Sequence, residues 1–265
     1  MGGDITDTYA SNAEFWVRII REQLDRYRTE LTDAAVLAAL GDVNGARVLD
    51  GGCGEGYLGR ALAERGAQVT GIDTSAALIE SARQHPDAQR RGIRYAVASL
   101  EAIPEADGTF DAAVCNHVIS DVADPAAALK ELGRVLRPGG QLVLLMLHPC
   151  FYTAHAERDA TGTIPVTTYF SERHVDQTFK VAGIESPDEV HMRFRPLEFY
   201  TRCIIDAGFV IAALEEPHPS ADLLATDEWW RKNFVKPLFM LILAEARGSD
   251  YARGDSQTSL GPTVS

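Results

Sequence analysis

Asp50 and four glycines, with Glu55 among them, stand in the string Val48-Leu49-Asp50-Gly51-Gly52-Cys53-Gly54-Glu55-Gly56, at the end of an apolar run. Glycines at alternate positions let a backbone pass close to a ligand in conformations that a Cβ would forbid. A second acid, Asp73, ends the next apolar run, where a carboxylate can accept hydrogen bonds from both hydroxyls of a ribose. The pair implies a ligand that contains adenosine. Two cofactors compete, because Gly54-Glu55-Gly56-Tyr57-Leu58-Gly59 also matches the GxGxxG pattern of dinucleotide sites. That pattern begins several residues after Asp50, whereas the register of Asp50, Gly52, Gly54 and Gly56 starts where the strand should end.

Proton chemistry points elsewhere. His117 and His148 each follow an apolar run, and ligands of open α/β sheets bind beyond the carboxyl ends of strands. Either imidazole could accept a proton near neutral pH or bond a backbone group in its own loop. Asn116 and Asp121 could orient a histidine, bond a ligand or satisfy loop amides. Arg193 and Arg195 could meet a carboxylate or phosphate, or form surface ion pairs. His155, His174 and His191 are spaced too widely for a metal motif, and no metal site is expected.

The elements that must position these residues are written in the periodicity. Phe15, Trp16, Ile19, Ile20, Gln23, Leu24 and Tyr27 predict one amphipathic helix over Ala13–Arg28, with a second over Asp33–Leu40. Strands are expected at Arg47–Asp50, Gln68–Asp73, Arg94–Ala98, Phe110–Asn116 and Gln141–His148. Helices are expected between them at Tyr57–Arg65, Ser75–Gln84 and Pro125–Val135, with a turn at Arg137–Gly140. This alternation predicts a mostly parallel sheet with helices on both faces. It stops after His148, and Cys150–Arg195 reads as an insertion. A helix over Pro196–Ala207 then precedes strands at Phe209–Leu214 and Leu238–Glu245, separated by a loop holding Trp229 and Trp230.

With these pieces in place, the chain resembles the class I S-adenosylmethionine-dependent methyltransferases, specifically the small-molecule group. The resemblance rests on Asp50–Gly56, Asp73, Phe110–His117 and Leu136–Gly140, and covers roughly residues 46–148. It implies a Rossmann-like, doubly wound α/β sheet of seven strands whose last strand is antiparallel. It further implies that Asp50, Gly51, Gly52, Gly54 and Gly56 face the methionine end of S-adenosylmethionine, and that Asn116 also belongs to the cofactor site. Asp73 would face the ribose, and Thr74, Ser99 and Leu100 would border the adenine, although many relatives carry Asp at the position of Ser99. Methyl transfer to oxygen, then nitrogen, then carbon is the implied reaction, leaving S-adenosylhomocysteine, with His148 or His117 as the catalytic group. A SAM-binding enzyme that decarboxylates, hydroxylates or cyclises is the alternative, and a nicotinamide oxidoreductase a more distant one. An N-terminal helix and an insertion commonly cover the substrate in this group, so Tyr9, Phe15, Trp16, Phe151, Tyr152 and Tyr169 are the expected acceptor-side residues.

The resulting division is a helical cover at 1–40, a cofactor-binding core at 41–148, a covering insertion at 149–195, the rest of the sheet at 196–247 and a disordered tail at 248–265. Composition agrees: 46% hydrophobic and 24% charged residues are globular values. A formal charge of -13 repels a phosphate backbone, so the expected partner is a small-molecule acceptor and no nucleic acid. Four scattered cysteines and the absence of long apolar runs predict a cytoplasmic chain with reduced thiols and no membrane association.

Overall fold

The computed structural model describes residues 9–152 and 169–247, so the tail expected at 248–265 lies outside the described residues. Seven strands form one sheet in the order β10-β11-β5-β4-β1-β2-β3. Here β1 is Arg47–Gly51, β2 Gln68–Asp73, β3 Arg94–Val97, β4 Phe110–Asn116, β5 Leu136–Leu147, β10 Phe209–Glu215 and β11 Phe239–Ala246. The pairs β1/β2, β2/β3, β1/β4 and β4/β5 are parallel, while β11 runs antiparallel to both β5 and β10. The chain leaves β1 toward β2 on one side and returns to β4 on the other. Loops therefore diverge between β1 and β4, which opens a crevice above their carboxyl ends.

Strand residues alternate between two buried layers. Leu49, Leu142, Leu144 and Met146 pack with α6 (Pro125–Val135) and α7 (Leu197–Asp206) on one face. Val48, Val143 and Leu145 pack with α2 (Asp33–Leu40), α3 (Tyr57–Glu64) and Trp230 on the other. Because both faces are covered, Leu142–Met146 reads as a continuous apolar run and is wholly buried. Helix starts follow local chemistry: Ser75 Oγ caps α4 (Ala76–Gln84) through Leu78 N, and Asp124 caps α6 through the amides of Ala126 and Ala127. A short α5 (Pro86–Arg90) leads to β3.

Four expectations change. The helix expected over Ala13–Arg28 ends at Arg21 as α1 (Ala13–Arg21), because Gln23 turns into the left-handed region at φ 54°. A π-helical turn, Arg28–Thr32, then runs into α2. The fifth strand begins at Leu136 rather than Gln141: Phe110 pairs with Leu136 and Ala112 with Gln141, so Arg137–Gly140 bulge out of the pairing with β4. The described part of the insertion folds as a hairpin of β6 (Arg173–Gln177) with β9 (Val190–Phe194), enclosing the small ladder of β7 (Lys180–Val181) and β8 (Ile184–Glu185). The loop bearing Trp229 and Trp230 contains α8 (Ala221–Thr226) and α9 (Glu228–Asn233), with Trp230 Nε1 donating to Glu30 Oε2 at 2.7 Å. At the sheet's edge, β10 slips register between Ile211 and Ala213.

Gly133 lies within α6, where alanine usually stabilises a helix. Here a Cβ would stand 2.9 Å from the main-chain oxygen of Ala207 at the end of α7. Steric conflict with backbone outweighs propensity, so Gly133→Ala should destabilise the fold by about 1–3 kcal/mol. Urea unfolding checks this, and a variant as stable as the parent would show that α6 and α7 separate freely.

Candidate functional site

The turn after β1 is held from beneath. Gly52 N and Cys53 N both donate to Ile72 O, at 2.8 and 2.9 Å, which bends the chain over the end of β2. Gly52, Gly54 and Gly56 have φ of 71°, 54° and 82°, the left-handed region that side chains resist. Tyr95 fills the space beneath: its ring lies where a Cβ on Gly56 or Gly71 would go, and its hydroxyl donates to Gly56 O at 3.0 Å. Gly51 leaves room for Leu100, whose side chain is buried in the core beside Leu49 and Ile72. Ser99 Oγ accepts from Glu101 N, while Thr74 is exposed.

Two acids end adjacent strands. Asp50 is buried, and burial pushes its carboxyl up to about 7. Its Oδ2 has no hydrogen-bond partner among the described residues. Asp73 accepts from Gly54 N at 2.9 Å and from Ser75 N at 2.8 Å, and these amides offset part of the upward shift that burial causes. At the end of β4, Asn116 Nδ2 donates to Tyr57 Oη at 2.6 Å, and Tyr57 donates on to Asp33 Oδ1 at 3.0 Å. Asn116 Oδ1 is buried and unpartnered.

The two histidines differ. His117 takes φ 60°, and its ring meets the Phe239 ring at 5.5 Å. Burial pushes it down to about 4, so the imidazole is neutral near pH 7. In His148, Nδ1 accepts from Cys150 N at 3.1 Å and Nε2 lies 3.0 Å from Glu216 Oε1. That pattern requires the proton on Nε2 in the neutral ring, and it engages both nitrogens.

Of the expected acceptor-side residues, Tyr9, Trp16 and Tyr152 pack against Val190, Met192 and Phe194 of the hairpin. Trp16 meets Phe179 at 5.3 Å, and Asn12 exchanges two hydrogen bonds with the main chain of Asp188, so the N-terminal segment and the insertion pack together. Tyr9 Oη donates to Asp121 Oδ2 at 2.5 Å, and burial pushes Asp121 up to about 6. Phe15 is buried against Trp16, and the ring of Phe151, 40% exposed, lies on His148. Tyr169 Oη accepts from Leu197 N and anchors the start of α7. Arg195 pairs with Glu172 at 2.7 Å. Sequence reasoning overlooked Glu55, Arg60 and Tyr95: a charge wholly buried between two glycines gave no periodic signal, and Tyr95 read as an ordinary strand residue.

Residues 49–144 match the methyltransferase domain family. Over 108 residues the chain is 43% identical to the ubiquinone biosynthesis O-methyltransferase of Xanthomonas oryzae pv. oryzae, covering 40% of this chain and 45% of that protein. The protein of the same name from Alkalilimnicola ehrlichii is 38% identical over 114 residues, 43% of this chain and 46% of that one. The chain thus spans about half the length of these curated relatives. Among solved structures, an S-adenosylmethionine-dependent methyltransferase from Mesorhizobium loti aligns with TM-score 0.66 and 27% identity over 80% of this chain and 96% of that one.

The cofactor that this family implies fits the residues present. S-adenosylmethionine carries cationic groups and a ribose. The crevice offers unpartnered buried acceptors on Asp50 and Asn116, a second carboxylate on Asp73, and a turn where a Cβ on Gly54 would meet nothing within 4 Å. Asp73→Ala should weaken S-adenosylmethionine binding by about 1–3 kcal/mol through loss of a charge-assisted acceptor. Calorimetry measures it, and unchanged affinity would remove Asp73 from the site.

Proposed function

We infer that this chain, a member of the class I S-adenosylmethionine-dependent methyltransferase superfamily, methylates a hydroxyl oxygen of a small aromatic acceptor. The observation that carries this reading is the meeting, above β1, β2 and β4, of a left-handed glycine turn with two acids and two unpartnered buried acceptor oxygens. Bound there, S-adenosylmethionine supplies an electrophilic methyl on a sulfonium and is left as S-adenosylhomocysteine. Asp50, the turn Gly51–Gly56 and Asn116 hold its methionine end. Asp73 holds the ribose, and Thr74 and Ser99 border the adenine while Leu100 supports it from below.

The acceptor lies under Tyr9, Trp16 and Tyr152, whose rings favour a flat apolar body and exclude water from the transfer. Phe15, Phe151 and Tyr169 back these residues and fix their loops. A hydroxyl acceptor must lose a proton. His117, neutral and with no hydrogen bond to its ring nitrogens from the described residues, is the group to take it. His148 instead fixes the loop after β5 through Cys150 and Glu216. The curated relatives are named O-methyltransferases, which supports oxygen as the acceptor atom.

Methyl-labelled S-adenosylmethionine with a panel of phenols and catechols should yield labelled methyl ethers. Tight cofactor binding with no transfer to oxygen or nitrogen would reject methylation and leave the non-methylating reading. With an acceptor that does not itself titrate, His117→Ala should lower kcat by about 10²–10⁴-fold while cofactor affinity holds. The lone pair of His117 is free above about pH 4, so turnover should stay flat through neutral pH. A carboxylate base at Asp121 must ionise first, and turnover would then rise with a midpoint near 6. That profile, surviving in His117→Ala, would move the role to Asp121.

A further inference from the structure

One guanidinium ties the cover to both walls of the cofactor crevice. Arg21, the last residue of α1, donates from Nε to Glu55 Oε2 at 2.9 Å. Its Nη2 donates to both the main-chain oxygen and Oγ of Ser81, each at 2.9 Å. Glu55 is wholly buried, and its other carboxylate oxygen accepts from Arg60 Nη2 at 2.5 Å while its main-chain oxygen accepts from Arg60 Nη1 at 2.7 Å. A buried carboxylate is costly unless its partners are well placed. Here the acid sits inside the glycine turn, between Gly54 and Gly56.

Each leg of this contact leads to Asp73. On one side Glu55 adjoins Gly54, whose amide donates to Asp73 Oδ2. On the other, Ser81 lies on α4, whose capping residue Ser75 donates its amide to Asp73 Oδ1. The seat of α1 on α4 is shallow, for the two helices flank an open groove lined by Ala13, Val17, Arg21, Ala77 and Ser81, and the Arg21 guanidinium spans it to Ser81.

We propose that Arg21 is a positioning residue of the cofactor site: it braces the glycine turn against α4, so that seating of α1 over the acceptor side and binding of the cofactor favour one another. This rests on the reading that the crevice binds S-adenosylmethionine. The planar fork of arginine suits the role, since it reaches a carboxylate and two oxygens of a neighbouring helix at once. Coupling of this kind is reciprocal: whatever the cofactor gains from a seated helix, the helix gains from a bound cofactor.

Arg21 is partly exposed, and Arg60 still partners Glu55 when Arg21 is removed, so Arg21→Ala should fold. Calorimetry with S-adenosylhomocysteine should show about 5–20-fold weaker binding to Arg21→Ala than to the parent, with part of the loss recovered in Arg21→Lys. Hydrogen exchange over residues 13–21 should slow on adding S-adenosylhomocysteine to the parent, and this slowing should vanish in Arg21→Ala. A merely structural contact would lower the melting temperature without changing either ligand response. Equal affinity in parent and Arg21→Ala, with exchange over 13–21 indifferent to ligand, would overturn the brace alone. A parent chain that does not bind S-adenosylhomocysteine would overturn the underlying reading as well.

Discussion

Two consecutive amides, those of Gly52 and Cys53, share the single carbonyl of Ile72, and the rest of the crevice is arranged around that turn. Buried amides must find acceptors, and after β1 the ladder has ended. Bonding both to the neighbouring strand bends the chain over the end of β2, with positive φ at positions 52, 54 and 56, which favours glycine at each of those three. The same path aims Gly54 N at Asp73 and leaves room below for Tyr95. A hydrogen-bonding requirement of the main chain thus sets where the side chains that meet a ligand can stand.

The sheet was legible because its signals are local and reinforce one another. Phe110–Asn116 and Pro125–Val135 form the strand and helix that their apolar spacing predicts. The break after Arg21 was not legible, since Leu24 and Tyr27 keep the helical phase and no glycine or proline marks the turn. The hairpin in the insertion is hidden for a related reason. Its tight turn uses Ala182 at φ 49° before Gly183, so half of the usual turn signature is missing. Whether an acid is merely solvated or is clamped by two guanidiniums depends on residues far apart in the chain, which is why Glu55 passed as a spacer between glycines.

Burial acts on the crevice's ionisable groups in opposite directions. It raises Asp50 and Asp121 and lowers His117, in each case disfavouring the charged form. Groups that would be fully charged acids or partly charged bases in water are drawn toward neutrality here. Such a setting attracts a ligand that brings its own positive charge, and it keeps a histidine lone pair available at a pH where a solvated one would be partly protonated.

The register slip in β10 bears on how this molecule behaves among its own copies. An open sheet has two free edges, and a long flat edge strand can recruit another chain by main-chain pairing. On one side β3 is only four residues long and begins with Arg94. On the other, the irregularity between Ile211 and Ala213 kinks β10, although Val210 and Leu214 are 41% and 44% exposed. Neither edge offers an uninterrupted template, so the sheet resists strand-by-strand growth into aggregates while keeping its apolar interior continuous.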